Sequence, residues 1–160
     1  MSPIRRASFS TPRPLAEGDL MAAIDLGSNS YHMLVARYSK GQFRVVDRLR
    51  EMVRMAEGLD ERGGLSVAAR DRALDCLARF GERITDIPPQ RVRAIAINTV
   101  RALREPQTFL MLAESALGHA IEVVSGREEA RLVYLGVTHA QPAEPGQLRL
   151  VMDVGGGSTE

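Results

Sequence analysis

The first part of the chain alternates short apolar runs with glycine and small polar residues. The run LMAAIDLG at 20–27 stops at a glycine, and this length and ending are typical of a buried strand. A second run, YHMLVARY, follows at 31–38, and a third begins after the turn KGQ at 40–42. The intervening SNS at 28–30 is short enough for an antiparallel hairpin and tolerates unusual backbone angles. The pattern predicts three consecutive strands.

The apolar spacing then changes to three and four residues, which is the period of a helix. Leu74, Leu77 and Ile84 follow this spacing beside a face rich in arginine and aspartate, and Ser66 is a candidate N-cap. We therefore predict an α/β fold with a mixed sheet, an antiparallel hairpin and helices on the faces of the sheet. The other predicted elements are, in order, a strand at 92–98, a helix opened by Pro106 and closed at Gly118, a strand at 121–125 and a helix from about 128 to 138.

The two ends of the chain differ from this body. Most of residues 1–19 consist of proline, arginine and small polar residues, which predicts a disordered basic tail. At the other end, LRLVMDVGGG at 148–157 is a further apolar run that stops at glycines, with nothing downstream to pair with it. We expect residues 20–141 to form one lobe. Residues 142–160 would then contain a linker and the first strand and glycine loop of a second, truncated lobe.

The overall charge points to no macromolecular partner. The 21 basic and 20 acidic residues give a formal net charge of +1, so no general field attracts a nucleic acid or an anionic membrane. Cys76 is the single cysteine, which excludes an internal disulfide, and no apolar run has the length of a membrane span. We expect a cytoplasmic protein with no DNA partner and no membrane span.

Two similar motifs carry the candidate chemistry, because Asp25 and Asp153 each end an apolar run and each precede a glycine loop. Glycine lets a phosphate approach the backbone closely, and successive amide hydrogens in such a turn form an anion site. The two carboxylates would favour a hydrated Mg²⁺ that bridges phosphate oxygens. A single glycine-rich turn is usually only a turn, whereas the pair favours a phosphate site. The loops comprise Gly27, Ser28, Asn29 and Ser30 in the first and Gly155, Gly156, Gly157 and Ser158 in the second.

Three segments together resemble the exopolyphosphatase and guanosine pentaphosphate phosphatase family, which belongs to the superfamily of actin, Hsp70 chaperones and sugar kinases. They are AAIDLGSNSYHMLVAR at 22–37, SGREEARLVYLGV at 125–137 and VMDVGGGSTE at 151–160. The resemblance covers roughly residues 20–160. It implies an actin-like (ribonuclease H-like) lobe and a metal-dependent phosphohydrolase that releases terminal phosphate. Inorganic polyphosphate or guanosine pentaphosphate would be the substrate and Mg²⁺ the cofactor.

The resemblance also implies roles for single residues. Glu129 matches the proposed catalytic base, Arg101 an arginine that faces the substrate phosphates, and Glu160 a second acid near the metal. Asp25 and Asp153, with Glu160, would hold the metal, and the two glycine loops would bind phosphate. The residues alone also allow simpler explanations: an acid at the start of a helix complements the helix dipole, and a lone arginine is usually solvated.

Other reactive side chains have simpler interpretations. His32, His119 and His139 lie far apart without ligand spacing, so we interpret them as hydrogen-bonded or solvent-facing histidines. Cys76 falls on an amphipathic helix and is interpreted as packing. Arg131 either forms a pair on the helix surface or supports the site.

Three functions stay open at this point. The first is the phosphohydrolase, for which the 160 residues alone are expected to be inactive and the full-length protein could be a homodimer. The second is an ATP-dependent kinase of the same superfamily, which would have less use for Glu129. The third is a non-catalytic phosphate or nucleotide sensor, which the acidic residues disfavour, because a carboxylate beside a phosphate needs a metal or a proton transfer to be tolerated.

Overall fold

The structure, a computed structural model, describes residues 13–141, 146 and 148–159. A mixed sheet of five strands forms its centre, in the order β3-β2-β1-β4-β5. The first three strands pair in antiparallel fashion, while β1 pairs with β4, and β4 with β5, in parallel. The strands are β1 (Leu20–Leu26), β2 (Tyr31–Ser39), β3 (Gln42–Glu51), β4 (Val92–Ala96) and β5 (Ile121–Val123).

Capping residues mark several of the helix ends. The hydroxyl of Ser66 accepts from the amide of Ala69, 3.3 Å away, at the start of the first long helix. Gly118 ends another helix in the left-handed conformation, with φ of 76°, which glycine adopts without strain. The helices are α1 (Val67–Ile84), the short α2 (Asn98–Arg101), α3 (Pro106–Leu117) and α4 (Gly126–Ala140).

The hydrophobic core lies on one face of the sheet. In β1, Ala22, Ile24 and Leu26 are buried, and Ala23 and Asp25 point to the other face. The buried side of β1 belongs to one cluster with residues of β2, β4, α1 and α3. Because β1 and β4 are parallel, their carboxyl ends lie at the same edge of the sheet. The loops after these strands therefore meet at that edge.

The predicted fold class is confirmed, and several element bounds differ from the prediction; β5, for example, ends at Val123 and not at residue 125. The strand predicted at 92–98 stops at Ala96, and Asn98 begins α2. The apolar run at 148–153 was predicted as a strand, but it forms none in the structure. Leu148 and Leu150 are almost fully exposed there, because no neighbouring strand of the described chain pairs with the run. Strand propensity alone does not satisfy the backbone hydrogen bonds of an extended segment.

Residues 1–12 of the predicted tail lie outside the described residues. Residues 13–19 contact the sheet: the amide of Gly18 donates to the carbonyl of Tyr38 at 2.9 Å, and the carboxylate of Asp19 pairs with Arg13 and Arg91. These bonds join the segment before β1 to β2 and to the start of β4.

Cys76 is buried in the core, as its position on the amphipathic α1 predicts. Burial raises the pKa of its thiol to about 12, and the nearby carboxylate of Glu51 adds to the rise. Within the described ranges, no helix combines the length and the apolar character that crossing a membrane requires.

Candidate active site

A cavity of about 260 Å³ opens where the loops after β1 and β4 meet the start of α4. Its wall brings together both predicted glycine loops, both predicted aspartates and Glu129. Segments more than a hundred residues apart in sequence thus share one small space. The lining residues are Asp25, Gly27, Ser28, Asn29, Ser30, His32, Ile95, Ile97, Glu129, Leu132, Val133, Asp153, Gly155, Gly156 and Ser158.

The first loop is a tight turn whose backbone is anchored by the segment after β3. A Cβ added at Gly27 would lie 2.7 Å from the carbonyl oxygen of Ser30, so only glycine fits this turn without movement of the backbone. The carbonyls of Ser28 and Asn29 accept from the amides of Ala56 and Arg54 at 2.9 and 2.8 Å. The N–H and C=O of a trans peptide point in opposite directions. The amides of Asn29 and Ser30 therefore point away from the segment after β3 that anchors the loop.

The second loop lies directly against the first. A Cβ added at Gly156 would be 3.0 Å from Cβ of Asn29, and one added at Gly157 would be 2.9 Å from Oγ of Ser28. The second loop is closed by the amide of Gly155, which donates to the carbonyl of Ser158 at 2.9 Å, and by an isolated antiparallel bridge between Val154 and Thr159. The lack of side chains on the glycines is therefore what allows the two loops to touch.

Asn98 fastens the second loop to the lobe. Its side-chain amide donates to the carbonyl of Gly157 at 2.6 Å. Asn98 is the first residue of α2, two positions after the end of β4. The sequence analysis did not select this residue. A polar side chain just after the carboxyl end of a parallel strand is the signal that could have identified it, since ligand sites of α/β sheets lie at that edge.

Asp25 and Asp153 both line the cavity, and one carboxylate oxygen of Asp25 is buried without a hydrogen bond from a described residue. No described residue gives a hydrogen bond to Oδ1 of Asp25. Burial raises the pKa of Asp25; the nearby His32 opposes the rise, and the charge of Asp153 adds to it. A bare carboxylate oxygen beside a second carboxylate is the donor set that a hydrated divalent cation neutralises. Across the described ranges, no group of three or more histidine, cysteine or acidic residues is arranged to hold a metal.

Glu129 is a buried acid at the start of α4. Its residue exposure is only 6%, and its Oε2 lies 3.6 Å from a terminal nitrogen of Arg101. The same guanidinium donates to the carbonyl of Val124, at the end of the β5 segment. Arg101 does not line the cavity, so the structure brings it to the predicted base and not to the cavity wall. Arg101 contacts the site through its ion pair with Glu129.

Glu128, the neighbour of Glu129, has a different environment. Both of its oxygens accept from Arg131 at 2.7 Å, one from Nε and one from a terminal nitrogen. The hydrogen bonds from Arg131 lower the pKa of Glu128, and the charges of Arg131 and Arg93 add to this. Of the two interpretations of Arg131, the structure supports the pair on the helix surface. Adjacent acids on α4 therefore differ in burial and in partner.

His32 is a second residue of the site that was not predicted to belong to it. It lies opposite Asp25 in the β1–β2 register and lines the cavity, and its Nε2 is 2.8 Å from Oγ of the buried Ser30. The interpretation as a hydrogen-bonded histidine is confirmed, but the partner belongs to the first glycine loop. Alternation along β2, which puts residue 32 on the same face as residue 25, could have suggested this placement once the hairpin was predicted.

Most residues of the cavity wall were thus predicted from sequence. Gly157 is the one member of its loops that the structure places at the loop contact and not in the lining. Glu160, predicted as a second acid near the metal, lies outside the described residues. The catalytic, phosphate and metal roles of all these side chains stay predictions.

The fold and the paired loops define the class of protein as an actin-like (ribonuclease H-like) lobe. An exopolyphosphatase from Cytophaga hutchinsonii ATCC 33406 is similar with a TM-score of 0.81 and 28% identity, over 88% of this chain and 45% of that chain. The PPX-GPPA enzyme of Aquifex aeolicus is similar with a TM-score of 0.78 and 27% identity, over 88% of this chain and 46% of that chain.

Sequence similarity to curated proteins is higher. A guanosine-5'-triphosphate,3'-diphosphate pyrophosphatase of Vibrio vulnificus (strain YJ016) is 48% identical over 141 residues, which cover 88% of this chain and 28% of that protein. The profile of the Ppx/GppA phosphatase family matches residues 34–160. The chain belongs to the Ppx/GppA phosphatase family, and it spans less than a third of the curated relative it matches.

Proposed function

We propose that this chain forms the catalytic lobe of a phosphohydrolase that releases terminal phosphate from inorganic polyphosphate, guanosine pentaphosphate or both. The observation that carries the proposal is the contact between the two aspartate-glycine loops beside a cavity that also contains the buried Glu129. The names of similar proteins agree with it, since one is called an exopolyphosphatase and another a guanosine-5'-triphosphate,3'-diphosphate pyrophosphatase.

The loops would bind the terminal phosphate. The amides of Asn29 and Ser30 point away from the segment that anchors the first loop, which leaves them available for an anion. Ser28 and Ser30 are buried residues, at 6% and 9% exposure, and their hydroxyls add polar groups to the loop that lines the cavity. A phosphate is a suitable partner because each of its oxygens accepts several hydrogen bonds.

Glu129 would accept the proton of the attacking water. The oxygen of the water forms a bond to the terminal phosphorus, and the bond from phosphorus to the bridging oxygen breaks. The rest of the substrate leaves with the bonding electron pair on its bridging oxygen, and a proton of the water moves to a carboxylate oxygen of Glu129. Arg101 fixes the carboxylate of Glu129 by holding both this side chain and the carbonyl of Val124. In this proposal Arg101 is a positioning residue.

Asp25 and Asp153 would hold Mg²⁺, with Glu160 as a further ligand. The uncompensated oxygen of Asp25 and the raised pKa of its carboxyl support a cation at this position. When bound, Mg²⁺ neutralises part of the charge on the phosphate oxygens. A cytoplasmic location is part of the same proposal.

A phosphate-release assay tests the function. Because the chain spans only part of its relatives, the assay uses a chimaera in which this chain replaces the segment of the Vibrio vulnificus protein that it matches. We expect phosphate release from polyphosphate, from guanosine pentaphosphate or from both, with Mg²⁺ and without an acceptor. Phosphate transfer that depends on an added acceptor would support a kinase. Binding of both compounds without turnover, in a chimaera that folds, would support a sensor.

A further inference from the structure

We propose that His32 is a positioning residue of the phosphate site, which holds the Ser30 hydroxyl so that its proton points to the bound phosphate. The proposal rests on the proposed function, because it assigns His32 to the same site. The family resemblance implies roles for the loop residues but none for His32, which follows the first loop in the sequence.

The contact between the two side chains is direct. Nε2 of His32 is 2.8 Å from Oγ of Ser30, which is hydrogen-bond distance. Ser30 is buried at 9% exposure, and both residues line the cavity between the glycine loops. The backbone of the loop is itself fixed by Arg54 and Ala56, so the hydroxyl is the part of Ser30 that can still turn.

The direction of this hydrogen bond decides what Ser30 can do. A serine hydroxyl has one proton and two acceptor positions, and a neutral imidazole has one N–H. If the hydroxyl donated to Nε2, its proton would be used and its lone pairs would face the phosphate oxygens. If Nε2–H donates to Oγ, the hydroxyl proton is directed to the phosphate. A site for an anion therefore requires the second arrangement, with the proton of His32 on Nε2.

The surroundings of His32 fit this role better than that of a base for a nucleophilic serine. A histidine that acts as the base for a serine needs a carboxylate that holds its ring by a hydrogen bond. Oδ1 of Asp25 accepts no hydrogen bond from a described residue, so it does not hold the ring of His32 in this way. Attack by Ser30 would form a phosphoserine, and the water that Glu129 deprotonates would then act only in a second step. Direct attack by water needs only the proton donation proposed here.

Nuclear magnetic resonance of the 160-residue chain tests the direction of the bond. Long-range correlations between ring carbon-bound protons and ring nitrogens at alkaline pH report which nitrogen of His32 carries the proton. We expect the Nε2–H tautomer, and we expect it to persist when tripolyphosphate and Mg²⁺ are added. A protonated Nδ1 with a bare Nε2 would overturn the proposal.

Two substitutions separate the hydrogen bond from simple packing. In His32→Gln the side-chain amide can reach the position of Nε2, whereas in His32→Asn it reaches only the position of Nδ1. We expect His32→Asn to weaken tripolyphosphate binding about tenfold, and His32→Gln to stay within about twofold of the unchanged chain. In a Ser30→Ala background, His32→Asn should have little further effect, because the two residues act as one unit.

The outcomes distinguish this proposal from the proposed function. Equal binding by His32→Asn and the unchanged chain, at similar melting temperatures, would overturn the role of His32 and leave the proposed function standing. A folded chimaera that binds neither tripolyphosphate nor guanosine pentaphosphate would contradict both proposals. A phosphoserine trapped at Ser30 in the chimaera during turnover would replace the positioning role with a nucleophilic one.

Discussion

Glu129 and Arg101 form an ion pair, in which Oε2 of the buried acid lies 3.6 Å from a guanidinium nitrogen that also donates to the carbonyl of Val124. This pair connects the start of α4 with the end of α2, which precedes β5 in the chain. In the proposed function this ion pair orients the carboxylate of Glu129 toward the cavity, whose wall it lines. Such fixed orientation is what a general base needs, because proton transfer depends on distance first and on pKa second.

The first prediction compares the two adjacent acids of α4. Glu129→Gln keeps the shape of the side chain but removes the base, and should lower turnover of the chimaera by about 10²- to 10⁴-fold. The affinity for substrate should change much less, because the loops carry phosphate binding in the proposal. Initial rates at several substrate concentrations measure both effects.

Glu128→Gln is the matched control for this substitution. The Glu128 side chain pairs with Arg131 on the surface of α4 and lies 3.9 Å from Arg93 of β4, so its loss should change stability little and leave turnover nearly intact. Near-normal turnover of Glu129→Gln, or equal damage from both changes, would remove Glu129 from the role of base.

The second prediction concerns the turn of the first loop. Gly27→Ala would put a Cβ 2.7 Å from the backbone oxygen of Ser30, so the loop must move to accept it. We expect a loss of about 1 to 3 kcal/mol in the free energy of unfolding, together with weaker tripolyphosphate binding. Gly136→Ala in α4 is the control, since a Cβ there meets nothing within 4 Å and alanine favours a helix by about 0.5 to 1 kcal/mol. If both variants melt alike, the turn does not require glycine.

The sequence predicted the loop residues well because their signal is local. An aspartate at the end of an apolar run, followed at once by glycine and serine, can be recognised without the rest of the fold. Asn98 lacks such a signal, because its partner Gly157 lies 59 positions away and only tertiary structure brings the two together. The register of β1 and β2 had to be known before His32 could be placed beside Asp25.

The apolar run that was expected to begin a second lobe shows the limit of local pattern. The run at 148–153 has the composition of a strand but has no neighbour in the described chain, and its leucines stay exposed. In contrast, α1 and α3 form as predicted because their apolar faces have the sheet to cover. A strand needs a partner for its hydrogen bonds, whereas a helix provides its own.

The third prediction tests the thiol of Cys76. Its pKa is raised to about 12 by burial, so almost none of it is thiolate near neutral pH. We expect a disulfide reagent such as dithionitrobenzoate to modify the folded chain far more slowly than the chain in denaturant. Since this is the single cysteine, the total signal reports one site. Rapid modification of the folded chain would contradict the packing of Cys76 in the core.

The fourth prediction is a pH dependence of stability that Asp19 causes. The Asp19 carboxylate accepts hydrogen bonds from the side chain of Arg91, which has the larger effect, and from the amide of Ala16. These bonds lower the pKa of Asp19 to about 2, below the ordinary value of about 3.9. A depressed pKa stabilises the fold above the ordinary value, and the stabilisation is lost as the pH falls through about 2. Asp19→Asn should therefore destabilise the chain near neutral pH, with a difference that shrinks as the pH approaches 2. Asp75→Asn, at an exposed position, should show no such pattern.

The last prediction concerns Asp25 and the metal. Burial raises the pKa of this carboxyl, so its ionisation destabilises the fold. The destabilisation is absent below the ordinary pKa of about 3.9 and is complete at a pH above the raised pKa. Asp25→Asn removes that charge, so without Mg²⁺ the variant should melt at a higher temperature than the unchanged chain at neutral pH. With Mg²⁺ the order should reverse. A ligand at a hundred times its dissociation constant stabilises the state that binds it by about 2.7 kcal/mol, and only the unchanged chain should gain this. Asp86→Asn at the surface should leave both measurements unchanged. Thermal melts of the three chains with Mg²⁺ or with a chelator provide the test, and an equal Mg²⁺ response in the unchanged chain and Asp25→Asn would exclude Asp25 as a ligand.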